Sequence, residues 1–238
     1  IDLHTGGIDH IPVHHTNEIA QTETLTGKKP FSGFWFHNNF MKVDGAKLSK
    51  SLNNSYTLQD IEKRGYSLDA FKMRVLTSNY QTEGNFTWPN LEASQKRLNE
   101  WQSIVDLRWQ GVLNEGWEIS PVDADKYIDK IIERLVDNLD THNALIAVEA
   151  GLCKFIDASD SSSIYFEELT RYANKINDLL GIDLLKLDIS DDQKDLLRQR
   201  KIARDNKDFV ESDRIRDELK EQGIEVRDDA SGQIWSRA

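Results

Sequence analysis

The chain has 238 residues, a formal net charge of −11 and a single cysteine, Cys153. One thiol excludes a disulfide framework, and the lack of a long apolar run or a signal peptide excludes a membrane-spanning helix and points to the cytosol. Six tryptophans and 38% hydrophobic residues exclude disorder and predict a packed core in one large or two to three small domains.

The acidity is uneven. Residues 1–117 carry 12 basic and 13 acidic side chains, residues 118–193 carry 7 and 17, and residues 194–238 carry 11 and 11. Local patches decide phosphate contacts, so the net value does not exclude a nucleic-acid partner. The cluster Arg198, Arg200, Lys201 and Arg204 reads equally well as a solvated helix face or an RNA contact.

In chain order, residues 1–24 read as a strand, a break at Gly6-Gly7 and Pro12, and a helix from about His14. A loop at 27–30 leads to a buried strand at Phe34-Trp35-Phe36, and Gly45 opens a polar loop. Residues 57–78 predict two helical pieces broken at Gly65, with Thr57 and Ser67 as N-caps. A short extended piece at 85–88 precedes a long helix with Pro89 in its first turn. Its apolar stripe is Leu91, Leu98, Trp101, Val105 and Trp109. Residues 116–121 read as a linker.

Three amphipathic helices follow as a bundle. The first carries Ile128, Ile131, Leu135 and Leu139. The second, capped by Thr141, carries Leu145, Val148, Leu152 and Phe155, with Cys153 as a buried filler. After a Ser-rich loop at 159–163, the third carries Ile164, Leu169, Tyr172, Ile176 and Leu180 and stops at Gly181. A further helix starts near Ser190. A last one, residues 207–222, turns Phe209, Ser212, Ile215 and Leu219 inward, and a hairpin spans Ile224 to Trp235.

Two constellations carry chemistry. In Lys47-Leu48-Ser49-Lys50-Ser51, two ammonium groups sit in a short loop where they could follow a triphosphate as its charge redistributes; the plain alternative is two solvated lysines. His14 and Glu18, four apart, share a helix face and could supply two of the four ligands zinc usually takes; the plain alternative is a surface ion pair. His4 and Asp9 flank the Gly turn, either near a nucleotide or as strand and helix caps, and His37 is equally ambiguous. Trp235 is either a stacking platform or, in preference, a core residue.

Together with His4-Thr5-Gly6-Gly7-Ile8-Asp9, His14-His15-Thr16-Asn17-Glu18, Leu139-Asp140-Thr141-His142-Asn143-Ala144 and the closing segment Arg200 to Trp235, the lysine loop resembles the cysteinyl-tRNA synthetases, class I aminoacyl-tRNA ligases. Five motifs follow in order over almost the whole chain. Leu48 stands where the family has Met, a volume-conserving change. Thr16 replaces a Glu, Thr5 a Gly, and Asn39 and Asn53 replace glycines in turns that Asn tolerates.

The resemblance implies an α/β remnant, the C-terminal part of a Rossmann-like class I catalytic domain, followed by a mostly α-helical region with a helix bundle and a small C-terminal α+β unit. The expected divisions are 1–56 (catalytic), 57–117 (stem contact), 118–192 (anticodon-binding bundle) and 193–238 (tRNA-binding unit). It implies ATP-dependent activation of cysteine and its transfer to tRNA, with Lys47 and Lys50 catalytic, Lys50, Gly7, Asp9 and His4 about the nucleotide, and His14 and Glu18 on zinc. The family's first signature and two zinc cysteines are not in the chain, and it opens inside a strand. It therefore reads as a fragment, inactive alone, weak in zinc affinity and monomeric. Two alternatives stand beside this: a ligase joining cysteine to an amino sugar by the same adenylate chemistry, which has no need of residues 122–238, and a non-catalytic tRNA-binding paralogue, for which the retained lysines would be idle.

Overall fold

The computed structural model describes residues 1–47, 55–110, 122–157, 163–229 and 232–237. Lys50, Asn53, the linker at 116–121 and residues 159–162 of the Ser-rich loop lie outside the described residues, as does the Ile164 side chain.

Strand β1 (Leu3–Gly7) pairs in parallel with β2 (Phe34–Asn38), in register from Leu3 with Phe34 to Gly7 with Asn38. The crossover that parallel pairing requires is helical. A 3₁₀ turn (Ile8–His10) and a wide π turn (Ile11–His15) run straight into α1 (Thr16–Thr26). Pro12 does not break this path. It occupies the first turn, where its missing N–H goes unused. Gly27, at φ 66°, ends α1 with its N–H on the Glu23 carbonyl. The strand expected to be buried at 34–36 forms, but Phe34 is 73% exposed. Among the described residues this sheet has two strands, so it covers little more than one face.

Strands β3 (Met41–Val43) and β4 (Ala46–Lys47) make a hairpin about Asp44-Gly45, and β3 pairs in parallel with β5 (Gly84–Phe86). Both turn residues have positive φ, as a tight two-residue hairpin demands. Gly45 thus closes a hairpin rather than opening a loop, and Lys47 ends a strand opposite Lys42. The β1–α1–β2 unit meets this layer through the stacked rings of Phe36 and Tyr80, 4.4 Å between centroids, and through the Asn39 N–H to the Tyr80 carbonyl.

The helices start where their caps dictate. Thr57 and Asp60 form a reciprocal capping box on α2 (Leu58–Lys63), Ser67 caps α3 (Leu68–Leu76), and Thr87 caps α4 (Trp88–Val105). Leu91, Leu98, Trp101 and Val105 are buried along α4 as the period requires. Trp109 is not, at 42% exposed. The chain tightens into a 3₁₀ turn at Asp106–Trp109, and three residues per turn swing Trp109 off the stripe.

Helices α6 (Thr141–Asp157) and α7 (Ser163–Leu180) pack on α4, and α5 (Ala124–Val136) packs on both of them. Leu139 falls beyond α5 with a left-handed backbone and an exposed side chain. Asp140, rather than Thr141, caps α6: its carboxylate accepts from the Asn143 N–H and side-chain amide. Cys153 is exposed, being one position, about 100°, past Leu152 on the buried stripe. One contiguous core runs from Val43 through α3, α4, α5, α6 and α7 to Leu184. It includes residues on both sides of the divisions expected at 56/57 and 117/118.

A second core of Ile189, Leu197, Ile215, Leu219, Ile224 and Trp235 joins α8 (Asp191–Asp205), α9 (Phe209–Glu221) and the hairpin β6 (Ile224–Asp229) and β7 (Gly232–Arg237). Phe209, expected inward, begins α9 on the solvent side. This unit is held to α4's end by polar groups: Gln110 exchanges two 2.9 Å bonds with the Trp235 backbone, and Arg237 donates to buried Asp106 at 2.8 Å.

Gly151 on α6 faces fully buried Tyr172, whose hydroxyl donates to the Val148 carbonyl at 3.1 Å, and a Cβ at 151 would collide with the phenol. The helix-propensity gain of Gly151→Ala is about 1 kcal/mol, while overpacking costs about 1–3 kcal/mol. We expect a net loss of stability, read as a lower urea midpoint; a raised midpoint would refute this packing.

Candidate functional site

The structure gathers five of the seven expected site residues on the β1–α1–β2 unit. His4 stands on β1, Gly7 at its end, Asp9 in the 3₁₀ turn, His14 in the π turn and Glu18 in the first turn of α1. His14 Nε2 and Glu18 Oε1 are 3.7 Å apart, as their spacing foretells. The other Glu18 oxygen takes a 2.9 Å bond from His4 Nε2, so His4 is held against the candidate metal ligand. Asp9 folds back over the strand end: its Oδ1 lies 2.5 Å from where a Cβ on Gly7 would stand. Gly7 has ordinary extended backbone, so a side chain there would only have to displace the Asp9 carboxylate.

Sequence reasoning left His37 ambiguous and assigned His10 and His15 no role of their own. His15 is 3% exposed, and its Nδ1 lies 2.8 Å from His37 Nε2, the ring on the neighbouring strand. His10 packs edge-on against both His14 and His15. Burial, then the neighbouring His4 and His37, lower the pKa of His15 and favour its neutral imidazole. The doublet His14-His15 and the four-residue step from His10 were visible signals. The π turn that aligns them was not.

Lys47 stands on β4, in a different sheet from these groups, and Lys50 lies outside the described residues. Cys153, the chain's one thiol, is exposed on α6.

At the other end of the molecule, the basic cluster on α8 divides: Arg200 is buried, while Arg198, Lys201 and Arg204 are exposed. Arg200 is 1% exposed and clamped by Asp228, 3.0 and 2.8 Å from its two terminal nitrogens, and by Gln233 at 2.6 Å. Arg204 shares Asp228 at 3.2 Å, and Arg198 pairs with Asp195. Lys201 remains exposed. Trp235 is a core residue, as preferred.

Residues 1–96 match the model of the class I (C) tRNA synthetase catalytic domain, and residues 187–235 that of the cysteinyl-tRNA ligase anticodon binding domain. Cysteine–tRNA ligases of Lachnospira eligens and Streptococcus thermophilus are each 35% identical across the whole chain, and that of Campylobacter concisus 32%. The chain belongs to the cysteinyl-tRNA synthetase family. It covers 52%, 50% and 52% of those three relatives, so it spans about half their length. Two solved structures share the fold. An Agrobacterium radiobacter LeuRS–tRNA–LeuAMS complex has a TM-score of 0.58 at 16% identity, covering 76% of this chain and 26% of its own. Mycobacterium tuberculosis methionyl-tRNA synthetase bound by methionyl-adenylate has 0.54 at 18%, covering 76% and 42%. The α/β remnant with its helical continuation is therefore a class I synthetase architecture.

For a cysteinyl-tRNA synthetase the implied zinc would take two thiolates, a histidine and a carboxylate. His14 and Glu18 fit as half of that set, and exposed Cys153 on α6 does not complete it. In the region that matches the family's anticodon domain, the Arg200 guanidinium holds the Asp228 carboxyl below the usual carboxylate range, with help from Arg204. A folded-state value below the unfolded one means that this stabilisation is complete above the unfolded value of 3.8 and is lost as pH falls through the folded value. Asp228→Asn is expected to be less stable at neutral pH and to lose less on acidification below about pH 4. Urea midpoints across that range check it; parallel pH profiles for both proteins would exclude the clamp.

Proposed function

We propose that this chain is the portion of a cysteine–tRNA ligase that brings the phosphate-binding lysines, part of the zinc set and the anticodon-binding unit. The observation that carries this is one chain holding both the catalytic-domain match at 1–96 and the anticodon-domain match at 187–235. An amino-sugar ligase has no use for the second, and a purely tRNA-binding paralogue has none for Lys47 and Lys50.

In the reaction, the cysteine carboxylate attacks the α-phosphorus of ATP; the bond to the β-phosphate oxygen breaks, and pyrophosphate leaves. Lys50, aided by Lys47, matches the charge that gathers on the departing oxygens. A hydroxyl of the tRNA's terminal adenosine then attacks the cysteinyl carbonyl and releases AMP. Asp9, folded onto Gly7, and the bare backbone there would border the adenosine. His14 and Glu18 would hold zinc, which supplies affinity for the substrate thiolate. His4 positions Glu18 through its 2.9 Å bond. Zinc binds a hydroxyl poorly, so serine is rejected by donor chemistry and not by pocket size.

The divisions 1–56, 57–117, 118–192 and 193–238 follow this order of tasks. The core shared from Val43 to Leu184 supports a rigid path between the lysine hairpin and the stem-contacting helices. Among the described residues no helix is long and apolar enough to cross a membrane. The reading places the protein in the cytoplasm, as a monomer.

In the protein that carries this chain, Lys50→Ala is expected to lower kcat of cysteine-dependent ATP–pyrophosphate exchange by about 10²–10³ with little change in tRNA affinity. Absent cysteine dependence, or an unchanged kcat, would overturn the assignment.

A further inference from the structure

The sheet that carries Lys47 has two unlike faces. Met41 and Val43 on β3, Ala46 on β4, and Gly84 and Phe86 on β5 share the core side, where Val43 is 5% and Phe86 4% exposed. Lys42 pairs across the ladder with Lys47 on one side and with Asn85 on the other, so these three share the opposite face. Ammonium groups directly opposite each other repel. Glu83, the residue before β5, engages one of them in a 2.9 Å ion pair with Lys42.

The hairpin turn is tied down from the same neighbouring strand. The N–H groups of Asp44 and Gly45 need acceptors outside a two-residue turn. The Asp44 N–H donates to the Phe86 carbonyl at 3.0 Å, and the Gly45 N–H to Asn85 Oδ1 at 2.8 Å. The first acceptor is backbone and survives substitution at its position; the second is a side chain and does not. Because the donor is a backbone N–H, the Asn85 carboxamide must present its oxygen, and its partner fixes its orientation. Asn85 is anchored from behind as well. Its own carbonyl accepts from Nη2 of buried Arg74, whose Nη1 donates to Thr77 and Ser78 at 2.8 and 3.0 Å. A fixed point on α3 thus reaches, through one peptide and one carboxamide, the residue two before Lys47.

We propose that Asn85 is a positioning residue for adenylate formation: its carboxamide sets the hairpin turn and, through it, the place of Lys47 at the end of β4. The inference rests on the phosphate-binding role proposed above for Lys47. Asn85 itself touches no reacting group. Losing its acceptor loosens the turn without unpacking the core, because Val43 and Phe86 lie on the other face and the Phe86 carbonyl still holds Asp44.

The test is cysteine-dependent ATP–pyrophosphate exchange by the whole protein that carries this chain. Asn85→Ala is expected to lower kcat by about three- to tenfold, the scale of one hydrogen bond, with KM for cysteine and affinity for tRNA unchanged. Asn85→Asp keeps an acceptor oxygen for the Gly45 N–H and is expected within about twofold of the parent. In a Lys47→Ala background the Asn85→Ala loss should shrink below about twofold, since a residue that acts through Lys47 has nothing left to place. A parental kcat in Asn85→Ala, an equal loss in Asn85→Asp, or an undiminished loss in the Lys47→Ala background overturns the proposal. If any of these occurs while Lys50→Ala loses kcat as expected, this inference alone falls. If the parent shows no cysteine-dependent exchange, the function proposed above falls and this inference with it.

Discussion

The buried stripe of α4 is the constraint on which the rest of the molecule depends. Leu91, Leu98, Trp101 and Val105 give α3, α6 and α7 a common surface, and that surface continues down to Val43 beneath the lysine-bearing hairpin. Where the stripe ends, the chemistry of the contact changes. Buried Asp106 accepts from Gln102 at 3.0 Å and from Arg237 at 2.8 Å, and the tail unit docks through such polar groups and not through a shared apolar core. Apolar burial is cheap to satisfy from many directions, whereas a buried carboxylate accepts few geometries. The tail's orientation is therefore the more specified of the two junctions.

What could be read from the sequence follows the range of each interaction. Thr57, Ser67 and Ser190 were legible as caps because a cap bonds to backbone two or three residues away. The stripes at Leu145–Phe155 and Leu169–Leu180 were legible because helical period decides which residues share a face. Phe34, Trp109, Leu139, Phe209 and Cys153 went the other way. Each lies at an element's edge or one step off a stripe, where burial depends on which neighbour arrives and on a local change of helical pitch. The candidate site divides along the same line. The His14–Glu18 step is local and was visible. His37 reaches His15 through strand pairing with a separation of 22 residues, and no spacing rule announces that.

Charge in the tail makes a related point. Counted along the chain, residues 194–238 balance basic against acidic side chains. In space the balance is specific: Asp228 serves both Arg200 and Arg204, and Asp195 takes Arg198. Of what resembled an electropositive helix in one dimension, Arg200 is internal mortar in three, while Arg198 and Arg204 stay at the surface beside acidic partners. Any phosphate contact by this unit draws on the cations left over, Lys201 among them.

Gln110 gives the small tail one more property. A primary carboxamide has the same donor and acceptor pair as a peptide group, and Gln110 presents both to the Trp235 backbone as an adjoining strand would. It thereby occupies rungs on the outer margin of β7 that another polypeptide would otherwise find vacant. A two-stranded ribbon with open margins invites intermolecular pairing; here one side chain, borrowed from the end of a helical element, acts as a stopper against it.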